Sequence, residues 1–170
     1  MLRAAKLEAE LYEEVEADQK ATGQATGVVI LSGLAAGLGA GAQGGVPGVV
    51  LGTVVALLGW YLWAFLTYWV GTRILPEPQT EADLGELLRT TGFSSAPGLL
   101  RILGVVPALR GVVFVGSSIW MLVAMIIAVR QALDYRSTLR AVGVCAIGWL
   151  VQILLLAFLV GIFGSPERPM

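Results

Sequence analysis

The chain has 170 residues, of which 56% are hydrophobic and 14% charged, and its mean hydropathy is +0.80. Soluble globular domains are far less apolar, so this composition excludes that class and indicates one small, membrane-embedded, all-α bundle. The formal net charge is -1 and no basic cluster is present. A nucleic-acid partner is therefore excluded.

The chain begins with an acidic amphipathic segment. Leu7, Leu11 and Val15 recur every fourth position, and six acidic side chains fill the other faces. Anchors that lie on a membrane surface carry Lys and Arg instead. We predict an amphipathic cytoplasmic helix over residues 1–20, which lies outside the bilayer. One alternative is that this helix is solvated or packed on the bundle. The other is that it docks a partner protein.

The first apolar span is predicted over residues 25–42. Gly33, Gly37, Gly41 and Gly45 repeat every fourth position and are predicted to form a helix-packing face. A face of small residues lets another helix backbone approach closely, which matters in lipid because apolar burial gives no force between helices there. The close partner belongs either to this bundle or to a second copy, so a homo-oligomer stays open.

The second span is predicted over residues 49–72 and is followed by a polar segment. Tyr68, Trp69 and Arg73 suit the headgroup level, and two prolines then stop the helix. Residues 76–91 are acidic, and Thr80 precedes a run with a capping pattern. We expect a short interfacial helix there.

Three further spans complete a predicted five-helix topology, over residues 92–108, 111–129 and 141–164. The segment 92–108 is short and either spans or only dips into the bilayer. Arg130, Arg136 and Arg140 form the most basic loop, which by the positive-inside bias determines the topology and lies in the cytoplasm. Only a crossing by 92–108 puts this loop on the side of the N-terminus, so five spans, with the C-terminus outside, is preferred.

The sequence offers few side chains that could act in catalysis or bind a metal ion. The chain has no histidine, and the predicted spans contain no Asp or Glu, so proton relays and hard-cation sites have no ligands there. The lone Cys145 lies in an apolar run and is expected to pack. We therefore expect no enzyme activity, no catalytic residue, no metal site and no cofactor.

One charge is placed at membrane depth. The charge of Arg101 is energetically unfavourable there unless its side chain pairs with another group, reaches the membrane interface or faces water. We predict an intramembrane polar clasp between Arg101 and Gln152, with backbone carbonyls near Pro97 and Pro107 as further acceptors. The functional alternative is a contact between Arg101 and an anionic headgroup or substrate.

The second half of the chain resembles the Yip family, the Ypt/Rab-interacting polytopic membrane proteins and their bacterial relatives. The resemblance rests on the run Gly92-Phe93-Ser94-Ser95-Ala96-Pro97-Gly98-Leu99-Leu100 and on Ala128-Val129-Arg130-Gln131-Ala132-Leu133. It implies five spans with the N-terminus inside. Eukaryotic members carry Asp-Leu-Tyr-Gly-Pro, whereas this chain has Glu10-Leu11-Tyr12-Glu13, so GTPase binding is not carried over.

These features predict a non-enzymatic integral membrane protein of the bacterial plasma membrane. Its expected role is that of a scaffold or accessory subunit, with the lipid bilayer and an unidentified membrane or cytoplasmic protein as partners. The alternative is a small transporter or channel, which several copies could form together. A polar crevice lined from several spans distinguishes the alternative from a dry bundle.

Overall fold

The structure is a computed structural model that describes residues 1–163, all of whose regular elements are helical. The α-helices are α1 (Leu2–Ala5), α2 (Ala9–Ala17), α3 (Ala21–Gly39), α4 (Gly45–Trp69), α5 (Leu84–Phe93), α6 (Arg110–Ala132) and α7 (Thr138–Phe163). A π-helical turn, Val70–Ile74, continues α4, and a 3-10 helix, Ala96–Val105, follows α5.

Three helical stretches are long and apolar enough to cross a membrane: Ala21–Gly39, Gly45–Ile74 and Arg110–Ala132. Helix α7 contributes a shorter apolar stretch, Thr138–Leu154, within the part of the chain that is described. The predicted end of the fifth span at Gly164 and the C-terminal tail lie outside the described residues. The molecule is a polytopic helical bundle, and the count of five crossings stays a prediction.

The segment predicted to span residues 92–108 is the end of α5 followed by the 3-10 helix. Pro97 lies in the first turn of that helix, where its missing N–H is tolerated. The segment runs beside α3 along most of its length: Gly92 packs on Ala25, Gly98 on Ser32 and Gly104 on the carbonyl of Gly39. The six 3-10 steps from Gly98 to Gly104 rise about 12 Å, close to the roughly 10.5 Å that α3 covers between Ser32 and Gly39.

The N-terminal segment differs from the predicted single helix over residues 1–20. It forms α1 and α2, and Leu7 between them has a positive φ of 64° that ends the first helix. Leu11, Tyr12 and Val15 are buried in a cluster with residues of α3, α5 and α6. The Trp120 indole N–H in α6 also donates to the Ala5 carbonyl at 2.8 Å. The apolar stripe is therefore packed on the bundle, as one of the two sequence-based alternatives has it.

Helix α5 is more buried than the predicted interfacial helix. Its N-cap is Asp83 and not Thr80, with which the predicted capping pattern began. The Asp83 carboxylate accepts from the Glu86 N–H at 2.8 Å, and the Glu86 carboxylate accepts from the Asp83 N–H at 2.8 Å. Leu87 and the last turn of the helix are buried against α2, α3, α4 and α6. Helix α5 thus lies at the centre of one end of the bundle.

Candidate functional site

Three polar segments meet at one end of the bundle, here called the polar end. They are α2, residues 75–83 and residues 131–137. The Gln131 amide donates to the Glu13 carboxylate at 2.8 Å, and the Gln79 amide donates to the Asp134 carbonyl at 3.0 Å. These contacts bring together the segments that the sequence analysis assigned to the same side of the membrane.

Glu77 holds the predicted basic loop at this end. Its carboxylate accepts from the Arg136 N–H at 3.1 Å and lies 3.4 Å from the Arg140 guanidinium, which also donates to the Pro76 carbonyl at 2.9 Å. The Arg136 N–H, together with Gln79 and Arg140, lowers the pKa of Glu77. Arg130, the third basic residue, donates to the Tyr135 carbonyl at 3.2 Å. The loop is thus fixed to the segment before α5.

Tyr135 closes the same loop from the inside. It is 3% exposed, and its hydroxyl donates to the Leu75 carbonyl at 2.7 Å and lies 3.0 Å from the Gly71 carbonyl. These carbonyls belong to the π-helical turn and the residue after it, where the regular α-helical bonding pattern ends. The side chain of Tyr135 therefore supplies hydrogen bonds that the backbone of the turn does not.

Carboxylates surround a cavity of about 470 Å³ at the polar end, here called the acidic cavity. Glu13, Glu16, Glu86 and Asp134 line it, together with Arg130. Burial, and to a smaller extent the neighbouring carboxylates of Asp134, Glu86 and Glu13, raise the pKa of Glu16 to about 7, while Arg89 opposes them. Within residues 1–163, no group of three or more His, Cys, Asp or Glu side chains is arranged to hold a metal ion.

Arg89 is a residue of this end that the sequence alone did not single out. It is 5% exposed, and its Nε–H donates to the Val15 carbonyl at 2.9 Å and to the Glu16 carbonyl at 3.1 Å. A cation is favourable at a helix C-terminus, where carbonyls lack partners. Its position beside Leu87 and Leu88 gave no local sign of this role, because the acceptors are more than 70 positions away.

Arg101 lies inside the bundle, and its observed partners differ from the predicted ones. Its Nε–H donates to the Ser117 hydroxyl at 3.2 Å and an Nη–H donates to the Ser118 hydroxyl at 2.9 Å. The guanidinium carbon also lies 5.5 Å from the centre of the Phe114 ring. Gln152 lines the same cleft as Arg101, but no hydrogen bond joins them in the described chain. The pairing of Arg101 with Gln152 is therefore replaced by a contact with α6.

The predicted glycine face divides into two parts. Gly33 packs on Thr53 and Gly37 on Val49, so these two glycines lie between α3 and α4 of the same chain. Gly41 and Gly45 lie beyond the last residue of α3 and have positive φ angles of 87° and 65°. They serve the turn to α4, not a continuous helix face.

The tightest backbone approach uses glycines that the fourfold repeat did not include. A Cβ on Gly39 would lie 1.8 Å from the carbonyl oxygen of Arg101, and one on Gly98 would lie 2.1 Å from the Ser32 hydroxyl. Both positions are on the contact between α3 and the 3-10 helix. Close packing there requires glycine because no side-chain atom fits.

Apolar helices of membrane-spanning length, with most acidic side chains at one end, define a polytopic helical membrane protein whose N-terminal hairpin, formed by α1 and α2, packs on the bundle. A family model described as the Yip1 domain matches residues 9–159. The chain therefore belongs to the Yip1 family, and it is an integral membrane protein. The comparisons with curated proteins and with solved structures found no match.

Proposed function

We propose that this Yip1-family protein is a non-enzymatic scaffold or accessory subunit that binds a partner protein through its polar end. The supporting observation is that α2, residues 75–83 and residues 131–137 are joined there by side-chain hydrogen bonds into one surface. Four carboxylates line the acidic cavity in this surface. A partner segment that carries Lys or Arg would complement it.

The proposal includes a topology and a location. The protein crosses the bacterial plasma membrane five times, with the polar end in the cytoplasm and the C-terminus outside. The path of the 3-10 helix beside α3 and in the same chain direction, from Gly98 at Ser32 to Gly104 at Gly39, supports the third crossing. The convergence of the predicted cytoplasmic loops at one end supports the orientation.

The test is purification from membranes in mild detergent, with mass spectrometry of the proteins that co-elute. A stoichiometric partner is expected with the wild-type chain. The double variant Glu13→Gln and Asp134→Asn neutralises two charges of the acidic cavity while keeping side-chain size. It should reduce the amount of co-eluting partner at least about tenfold, which corresponds to a loss of about 1.4 kcal/mol of binding free energy.

The control is the double variant Glu10→Gln and Glu81→Gln, which removes two exposed carboxylates that do not line the cavity. It should retain the partner at the wild-type level. Equal losses in both double variants would contradict a site at the acidic cavity. A chain that elutes alone as an oligomer and carries a solute across liposomes would instead favour a transporter.

A further inference from the structure

Two adjoining clefts within the apolar part of the bundle meet at Arg101. The first has a volume of about 340 Å³ between α3, α4, the 3-10 helix, α6 and α7, and the second has about 410 Å³. Trp63, Met121 and Met125 line both. We call the two together the arginine cleft, and each volume lies within the range of about 300–1,000 Å³ that is typical of small-molecule sites.

Polar groups in the arginine cleft lack protein partners. The hydrogen bonds to Ser117 and Ser118 use two of the five N–H donors of Arg101. Ser32 also lines the cleft and is only 5% exposed, yet its hydroxyl has no hydrogen bond to any residue of the described chain. No fully buried side-chain nitrogen or oxygen atom of the described residues lacks a partner, so these groups open onto the cleft and are available to a ligand with acceptor oxygens.

The charge of Arg101 is not balanced by a neighbouring carboxylate among residues 1–163. Eleven of the twelve Asp and Glu residues lie in residues 8–18, in residues 77–86 or at 134, and Glu167 lies outside the described residues. Ser117, which contacts Arg101, is about 10 Å along α6 from Arg110 and about 22 Å from Ala132. The guanidinium is therefore held within the apolar layer, where a cation is stabilised by an anionic group.

We propose that the arginine cleft binds one anionic phospholipid of the surrounding bilayer. Its phosphate oxygens accept hydrogen bonds from Arg101 and Ser32, and an acyl chain lies against Trp63, Met121 and Met125. The planar guanidinium matches the geometry of a phosphate, and the apolar walls match a hydrocarbon chain. An anionic headgroup is preferred over a zwitterionic one because the latter brings its own cation.

The test is native mass spectrometry of the purified full chain in detergent. The probes are phosphatidylglycerol, phosphatidylcholine with the same acyl chains, and inorganic phosphate. The wild-type chain should bind one phosphatidylglycerol at least about tenfold more tightly than phosphatidylcholine, as expected for charge-assisted hydrogen bonds. Inorganic phosphate alone should not bind measurably, because the acyl chain contributes most of the buried area.

Two kinds of variant separate the headgroup from the chain. Arg101→Gln should abolish the preference for phosphatidylglycerol, and Arg110→Gln, which removes a charge that does not line the cleft, should keep it. Gly59 lines the cleft and a Cβ there would meet no atom within 4 Å. Gly59→Leu fills this space and should weaken the binding of both lipids. Gly116→Leu lies on an exposed part of α6, where a Cβ also meets no atom within 4 Å, and should leave the binding of both lipids unchanged.

Each outcome decides the proposal. A preference for phosphatidylglycerol that survives in Arg101→Gln would overturn it, and Arg101-dependent binding of inorganic phosphate without lipid preference would assign the site to a soluble anion. If Arg101→Gln does not fold, Gly59→Leu decides, because it leaves Arg101 unchanged. No partner protein enters these measurements, so their result is independent of the proposed scaffold role.

Discussion

The guanidinium group of Arg89 donates hydrogen bonds to the backbone carbonyl of Glu16 and thereby joins α5 to the C-terminal end of α2. This contact links residues 73 positions apart in the chain. It places a cation on carbonyls that the helix itself cannot satisfy. Arg89 thus holds the N-terminal hairpin on the bundle, together with Trp120, Gln131 and the apolar contacts.

Arg89→Met should therefore loosen the N-terminal hairpin. The methionine keeps much of the apolar stem but leaves the Val15 and Glu16 carbonyls without their charged donor, at a cost of about 2–3 kcal/mol. We expect a lower melting temperature in detergent and faster trypsin cleavage at Lys20. Arg73→Met, at an exposed position, should change neither quantity, and equal behaviour of the two variants would refute the role of Arg89.

The carboxyl group of Glu16 should make stability depend on pH. Its pKa is raised from 4.5 to about 7 in the folded chain, so folding favours the protonated form. The stabilisation from this proton is present below pH 4.5 and is lost as the pH rises through about 7. Glu14 and Glu77, whose pKa values are lowered, act in the opposite direction at acidic pH.

Glu16→Gln should accordingly raise stability at pH 8 and flatten the profile between pH 5 and 8. The expected gain is about 1 kcal/mol, smaller than the full pKa shift implies because Glu16 is only partly buried and solvent screens its charge. Melting curves in detergent at several pH values measure it. Glu10→Gln, on the exposed face of α2, should keep the wild-type profile. If the Glu16→Gln profile matched the wild-type profile, Glu16 would not be the cause of the pH dependence of stability.

Tyr135→Phe should weaken the junction between the loop that precedes α7 and the π-helical turn. The variant keeps the buried ring but removes the hydroxyl that bonds the Gly71 and Leu75 carbonyls, at a cost of about 1–2 kcal/mol. Tyr61→Phe is the matched control, since Tyr61 is 54% exposed. Thermal unfolding that falls only in the Tyr135 variant is the expected result, and an equal change in both would argue against the junction.

Gly98→Ala should disrupt the contact between the 3-10 helix and α3. The added methyl group would lie 2.1 Å from the Ser32 hydroxyl and 3.0 Å from the Met121 sulfur, and overpacking of this kind costs about 1–3 kcal/mol. Gly116→Ala meets no atom within 4 Å and should not lower the melting temperature. A Gly98→Ala chain as stable as the wild type would show that the 3-10 helix and α3 are farther apart than they are in this structure.

The five-crossing topology can be tested with single cysteines in a Cys145→Ser background. Glu81→Cys and Thr138→Cys should react with a membrane-impermeant thiol reagent only from the cytoplasmic side. Ala108→Cys, which follows the 3-10 helix at an exposed position, should react only from the opposite side. Labelling of residues 81 and 108 from the same side would mean that the 3-10 helix does not cross.

The family and the membrane class were predictable from the sequence, and both are confirmed. The N-terminal helix was predicted as a single element because the fourfold spacing of Leu7, Leu11 and Val15 does not reveal the positive φ at Leu7. The partner of Arg101 was also missed. A donor in a bundle can reach several helices, and the sequence does not specify which hydroxyls the tertiary packing brings near it.

The sequence by itself determined that this protein lies in a membrane, because long runs without charge can satisfy their backbone only as helices within hydrocarbon. Only the tertiary structure decided how those helices meet. It placed the 3-10 helix along α3, Arg89 on the end of α2 and Arg101 beside Ser117. Such contacts join residues far apart in the chain. Local periodicity indicates which face of a helix is buried, but it does not specify which other element covers that face.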